Sequence, residues 1–256
     1  MSGLPRIVAF GAGGAALFAL LVAGMRGLPP LGGYHGAYGE LINTVAVAER
    51  RATNVVSTTN FDYRGFDTLG EELILFTSVA GVAMLLRQHR DERDERPSDE
   101  DDRRMRRKVP RMGDAVRDMA AALVVFDVTF GGYVVSHGTV SPGGGFQGGV
   151  IVATALLVIY LASGPRTFHR VAPDALVEVT KAAGAAGYIA IGALALVLAR
   201  PFLSNVIPLG TTGTPITGGT IFALNVSVGV EVASAFVLLL IVFVRAALET
   251  RVSGTR

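Results

Sequence analysis

Four carboxyl groups stand inside or at the mouth of long apolar runs, where bulk water cannot solvate them. Asp127 lies in "AALVVFDVTFGG", Glu231 in "LNVSVGVEVASAFVLLLIVFV", and Glu71 and Glu72 open "EELILFTSVAGVAMLL". A charge at mid-bilayer costs about 2.5–3.5 kcal/mol on insertion scales, so such a side chain must face protein or water. Placed so, it is a candidate carrier of a proton or ligand of a cation. The competing role is structural, each carboxyl bonding a neighbouring helix or subunit; for Glu71 and Glu72, at a span end, that role is the simpler one. His137 follows the Asp127 run and titrates in the range of physiological pH when unperturbed. It could relay a proton, although capping a turn is the commoner task of a loop histidine.

Two further groups have suggestive spacing. "DYRGFDT" brings Asp62, Arg64 and Asp67 within six positions, which suits an Arg–carboxylate clasp that organises a loop; the alternative is a cation entrance formed by Asp62 and Asp67. "SPGGGFQGGV" contains G-x-G-x-x-G at Gly143, Gly145 and Gly148. A dinucleotide fingerprint needs a strand before those glycines and an acidic residue about 20 positions later. Here the preceding run is a candidate membrane span, and no acid occurs between Gly143 and Asp174. No Gly-Lys-Ser/Thr follows, so a phosphate-binding P-loop fails too. Without a Cβ, the glycines permit unusual backbone angles and close approach. Gly144 with Gly148, and Gly145 with Gly149, form the G-x-x-x-G spacing by which helices touch in lipid, while Pro142 stops the preceding helix.

The elements that must position these residues follow from composition. The chain has 256 residues, 50% hydrophobic and only 17% charged, with a mean hydropathy of +0.48, which points to a membrane protein. Ten Lys/Arg and eight Asp/Glu crowd into residues 87–111, leaving long stretches free to enter lipid. With no cysteine, disulfides, thiolate metal sites and cysteine nucleophiles are excluded. There is no tryptophan, so any interfacial aromatic belt is tyrosine. A net charge of +2 gives no argument for nucleic acid. No catalytic residue set, cofactor or metal site is expected, and the chain does not read as an enzyme.

A helix needs about 20 mainly apolar residues to cross the hydrocarbon core. Six stretches qualify: about 6–25, 68–87, 116–136, 146–163, 182–200 and 221–244. The first is longer than a signal-peptide core and reads as a retained span. The expected fold is therefore all-α and polytopic, with two spans, a charged linker over 89–111, four spans over 112–248, and a tail over 249–256. Lys181 and Glu178, at the start of the fifth span, are expected at the interface. Positive residues mark the cytoplasmic side: the linker, the 164–181 loop and the tail are rich in them, whereas 137–145 and 201–220 have none. Both termini are then cytoplasmic and the glycine turn faces outward. The linker reads as a solvated tether, with a basic end, Arg103 to Lys108, that could touch anionic headgroups. No internal repeat is evident, so a transporter complete in one chain is not expected.

"SHGTVSPGGGFQGGVIVATALLV" resembles the B subunit of multisubunit Mrp-type cation/proton antiporters, whose pattern places Pro-Gly-Gly-Gly-Phe-x-Gly-Gly after a helix and turn. Pro142, Gly143, Gly144, Gly145, Phe146, Gly148 and Gly149 carry the likeness, which covers about residues 112–248. "NVVSTTNFDYRGFDTLGEELILFT" resembles the small E-type module at the C-terminal end of the large A-type antiporter protein, which forms a separate subunit in related membrane-bound hydrogenases; that likeness covers about 1–88. Fusion of the two and the charged linker depart from the pattern of separate subunits. The resemblance implies a membrane subunit of a Na⁺(Li⁺/K⁺)/H⁺ antiporter in a bacterial- or archaeal-type cell membrane, inactive alone. Its partners would be other antiporter subunits, lipid, monovalent cations and protons, with no nucleotide or nucleic acid. The alternatives are the same modules in a hydrogenase or related respiratory complex, and a scaffold that docks larger subunits.

Overall fold

The computed structural model describes residues 3–28, 33, 36–86 and 113–253. The 89–111 linker and the tail from 254 onward lie outside the described residues. The chain divides into two compact units, Met1–Ile42 and Asn43–Arg256. The first contains α1 (Gly3–Arg26), an apolar helix whose only basic residue in its last turn is Arg26. Helix α2 (Ala37–Arg50) begins in the first unit and ends in the second.

The second unit holds α3 (Val55–Thr58), a π-helical turn (Thr59–Tyr63), α4 (Gly65–Leu85), α5 (Asp114–Ser136), α6 (Gly145–Val171), α7 (Asp174–Val197) and α8 (Thr220–Ser253). Among the described residues the only β pairing is an isolated bridge between Gly210 and Thr217. Six helices are long and apolar enough to cross a membrane: Val8–Arg26, Gly65–Leu85, Asp114–Ser136, Gly145–Pro165, Asp174–Val197 and Thr220–Val244. The all-α, six-span expectation holds. The fifth span starts eight residues before the expected 182, because Pro173 precedes the helix with extended backbone (φ −66°, ψ 142°) and Asp174 opens it. Helix α6 breaks its geometry at Gly164 (φ 79°), beside Pro165, which lacks the N–H that would continue the ladder.

Lipid offers no hydrophobic drive to bring apolar helices together, so close packing and interhelical hydrogen bonds must do it. The last span supplies the centre: more than half of it is buried by its own chain, against 6% for α5. Tyr188, Phe168, Ile221, Leu224, Val228 and Val232 are almost wholly enclosed. Residues 51–62 are tied to the rest of the second unit by polar contacts at one end of the bundle. Asn54 Nδ2 donates to the carbonyls of Gly138 and Ser141 (2.7 and 2.9 Å), and Thr53 Oγ1 donates to Val140 (2.6 Å). Thr217 Oγ1 donates to the Arg51 carbonyl (2.8 Å), and Asn205 Nδ2 to Asp62 (2.9 Å). The segment just before α4, the turn after α5 and the loop before α8 therefore form one hydrogen-bonded layer.

Candidate functional site

Helical periodicity decides which ionisable side chains enter the bundle. On α4 the buried positions are Gly65, Thr68, Leu69, Glu72 and Val79, a single face at three- and four-residue spacing. Glu72 is 3% exposed, while Glu71, one position and about 100° away, is exposed. On α7 the buried set is Val177, Lys181, Gly184, Ala185, Tyr188, Gly192 and Ala195, which puts Lys181 on the inward face. Lys181 is 6% exposed, not interfacial as its place near the helix start suggests, and Glu231 on α8 is fully buried.

These three residues meet between α4, α7 and α8. The Glu72 and Glu231 carboxyls lie within hydrogen-bonding range of each other, and Lys181 interacts electrostatically with Glu231. Lys181 Nζ also sits 4.0 Å from the centroid of the Phe76 ring on α4, a cation–π contact that holds the ammonium inside the bundle. Glu72 Oε2 and both oxygens of Glu231 receive no hydrogen-bond donor. Gly184 makes the approach possible, because a Cβ there would lie 2.7 Å from Glu231 Cβ. Hydroxyls flank the pair: Ser227 Oγ donates to the Gly184 carbonyl (2.9 Å), and Ser234 Oγ lies 2.8 Å from Thr180 Oγ1.

A second feature opens at the end of the bundle that carries the glycine turn. A cleft of about 660 Å³ is lined by Arg50, Asp62, Tyr63, Arg64, Arg200 and Asn205, with Gly65 and Leu203 at its wall. Asp62 pairs with Arg50 Nε (2.8 Å) and accepts from Asn205, whereas Arg64 pairs with Asp67 (2.5 Å). The expected three-residue clasp is thus two separate pairs, since Asp62 turns inward and Asp67 stays exposed. Burial and the hydrogen bond it donates to Glu49 push the Tyr63 phenol up to about 12. Tyr188 OH donates to the Gly65 carbonyl at the cleft wall (2.8 Å). Gly65, Thr68 and Glu72 follow on one face, so polar groups run about 10 Å from cleft to carboxyl pair.

The other expected residues lie elsewhere. Asp127 is half-buried on α5 and has no hydrogen-bond or ion-pair partner among the described residues. His137 ends α5, stacked on Tyr133 (centroids 3.9 Å apart) and next to Ser136, and its backbone carbonyl accepts from the amides of Val140 and Ser141. That is a turn arrangement.

The glycine motif is a helix-packing device. Gly143 and Gly144 have φ of 139° and 146°, a region that disfavours any side chain. Pro142 is exposed in the turn, and Gly144, Gly145, Gly148 and Gly149 are buried. Gly145 and Gly149 face α8: a Cβ on Gly149 would lie 2.8 Å from the Gly229 carbonyl oxygen, and one on Gly145 would overlap the Asn225 carbonyl. Gly148 faces α5 instead, against Gly131. Gly144 touches the Asn225 side chain, so the Gly144/Gly148 spacing does not act as one face. Buried Asn225 accepts from Gly145 N–H (3.0 Å) and donates to Ser57 Oγ (2.9 Å), joining α6, α8 and α3. Phe146 packs edge-on against Phe236.

Known proteins share this arrangement. Residues 115–238 match the domain related to the MnhB subunit of the Na⁺/H⁺ antiporter. The uncharacterized protein MJ1307 of Methanocaldococcus jannaschii is 30% identical over 207 residues, covering 75% of this chain and 77% of that protein. The chain belongs to the family of this archaeal protein, and its four-helix part is an MnhB-type module. A probable K⁺/H⁺ antiporter protein of Rhizobium meliloti, of the combined A/B type, is 29% identical over 175 residues; the MnhB-type chain aligns over 62% of its own length and 17% of that protein's. Among solved structures, a chain of the membrane-bound sulfane sulfur reductase, an archaeal respiratory membrane complex, has a TM-score of 0.71 at 28% identity, covering 94% of this chain and 98% of that one. A chain of the Mrp complex from Dietzia sp. DQ12-45-1b shares the fold, with a TM-score of 0.70 at 22% identity over 93% of this chain and 26% of that one. Both alignments run through the N-terminal part as well as the MnhB-type module. The MnhB-type chain is a membrane subunit of a multisubunit antiporter-like complex.

Proposed function

We propose that this subunit contributes a cation or proton station to Na⁺(Li⁺/K⁺)/H⁺ antiport, built from Glu72, Glu231 and Lys181. The observation that carries the reading is a buried pair of carboxyls on separate helices that no hydrogen-bond donor reaches. Such a pair is satisfied when the two oxygens share one proton, or when a small cation sits between them in place of it. That interchange is the elementary act antiport requires. Lys181 offsets part of the negative charge, so the station need not hold a cation at all times. The cleft around Asp62 and the Tyr188–Gly65 contact form its mouth, which faces outward if the positive-inside distribution sets the orientation. The chain transports only within the complex and performs no enzymatic chemistry of its own. Its N-terminal part acts as the E-type module.

A second reading places the same subunit in a respiratory complex, where electron transfer drives the antiport part. It is supported by the likeness to the sulfane sulfur reductase chain across 94% of this one. Purification in mild detergent, followed by identification of co-purifying subunits, separates the two. Large antiporter subunits without redox proteins support the first reading. Subunits carrying iron–sulfur or nickel centres overturn it in favour of the second.

A further inference from the structure

Asp127 is a second ionisable group within a span, and the carboxyl station does not use it. It lies 13 residues into α5 and nine from its end, about 14 Å below Ser136 at 1.5 Å per residue. It is half-buried, it has no partner among the described residues, and its helix is covered by the chain over only 6% of the span. One side of Asp127 is occupied: Ala120 and Gly131, within about 40° of it on the helix, are buried against the bundle, with Gly131 meeting Gly148 and Val152 of α6. The other side carries a ladder of stacked rings. Phe126 and Phe130 lie 5.5 Å apart and Phe130 and Tyr133 6.4 Å apart, near parallel. These rings are 60%, 43% and 49% exposed.

We propose that this face, Asp127 with the Phe126–Phe130–Tyr133 ridge, seats a transmembrane helix of a different subunit that presents a lysine or arginine at mid-depth. A carboxylate left against lipid would carry the insertion cost, whereas a cation on the docking helix turns it into a pair sheltered from water. The ridge is already ordered by its own stacking, so it loses little side-chain freedom when covered. A second copy of this chain does not supply the charge. Among the described residues the only Lys or Arg in the middle of a span is Lys181, which is enclosed in its own bundle. Two copies joined through α5 would instead oppose Asp127 to Asp127.

The test uses the assembled complex, with a photo-crosslinking phenylalanine analogue at Phe126 or Phe130 and, separately, Asp127→Lys. The expected results are a crosslink to a membrane helix of one other subunit that bears a Lys or Arg, and depletion of that subunit from Asp127→Lys complexes by at least fivefold. Replacing the partner's cation with Asp should restore it. Asp127→Leu, which places no charge in lipid, controls for insertion and should also weaken retention. Crosslinks to lipid only, to a second copy, or to a helix without a cation overturn the proposal, as does full retention in Asp127→Lys. The proposal rests on the subunit reading: if the wild-type chain retains no other subunit, that reading fails, whereas retention of all subunits by Asp127→Lys sinks only the docking face.

Discussion

Glu72 and Glu231 face each other across the seam of α4 and α8, one from the segment before the charged linker and one from the MnhB-type module, both at most 3% exposed. Neither residue can form the pair alone. The part of the chain that precedes the linker is therefore not an appendage to the four-helix module but supplies half of its most unusual site.

The glycines predict a graded packing series. Gly149→Ala should lower the melting temperature of the detergent-solubilised protein, because its Cβ would lie 2.8 Å from the Gly229 carbonyl and 3.0 Å from Val232, and overpacking costs roughly 1–3 kcal/mol. Gly132→Ala, with nothing within 4 Å of the added carbon, should be neutral. Equal melting temperatures for the wild type and both variants would mean that the helices have room to spare.

Asn225→Leu leaves the Gly145 N–H and the Ser57 hydroxyl without their common partner. A cost of about 1–3 kcal/mol is expected for unmade buried bonds. Chemical denaturation in mild detergent measures it. The loss should include release of residues 54–58 from the bundle, read as faster proteolysis there than in the wild type.

The polar line from cleft to station predicts wet access. The chain has no cysteine, so Thr68→Cys introduces its sole thiol. A membrane-impermeant thiol reagent should label it from one side of the membrane, and Tyr188→Phe, which removes the hydroxyl bonded to the Gly65 carbonyl, should speed labelling severalfold. Leu73→Cys, on the exposed face of α4, should stay unlabelled in lipid.

Tyr63 gives a pH signature outside the membrane spans. Its phenol is raised from 10 to about 12, so the stability it confers is complete below pH 10 and is lost as pH rises through about 12. A melting temperature followed from pH 9 to pH 12 should fall more steeply for the wild type than for Tyr63→Phe.

How much of the molecule is legible in the sequence depends on whether the signal is local. Span number and type are, because a run of 20 apolar residues is read against a fixed membrane thickness. Glu231 is visible as a lone charge in the most apolar run. Lys181 is not, because proximity to a helix end suggests an interface. The signal that finds it is its register with Val177, Gly184, Tyr188 and Gly192, which places it on the buried face. The same periodicity separates Glu72 from Glu71. Asp62 parts from Arg64 because its partners, Arg50 and Asn205, come from elements that only the tertiary fold brings near, 12 and 143 positions away. Within residues 26–67, α2, α3 and the π-helical turn leave no clear sequence signal, since short polar helices depend on the layer they pack into.

The central claim is that transport runs through the Glu72–Glu231 pair and not merely past it. Cation-driven proton flux should be measured in proteoliposomes holding the assembled complex, with Glu72→Gln, Glu231→Gln and Glu71→Gln compared at equal subunit content. The account predicts at least a tenfold loss for Glu72→Gln and for Glu231→Gln, and near wild-type flux for Glu71→Gln. Full flux in either of the first two, with the complex intact, would contradict it.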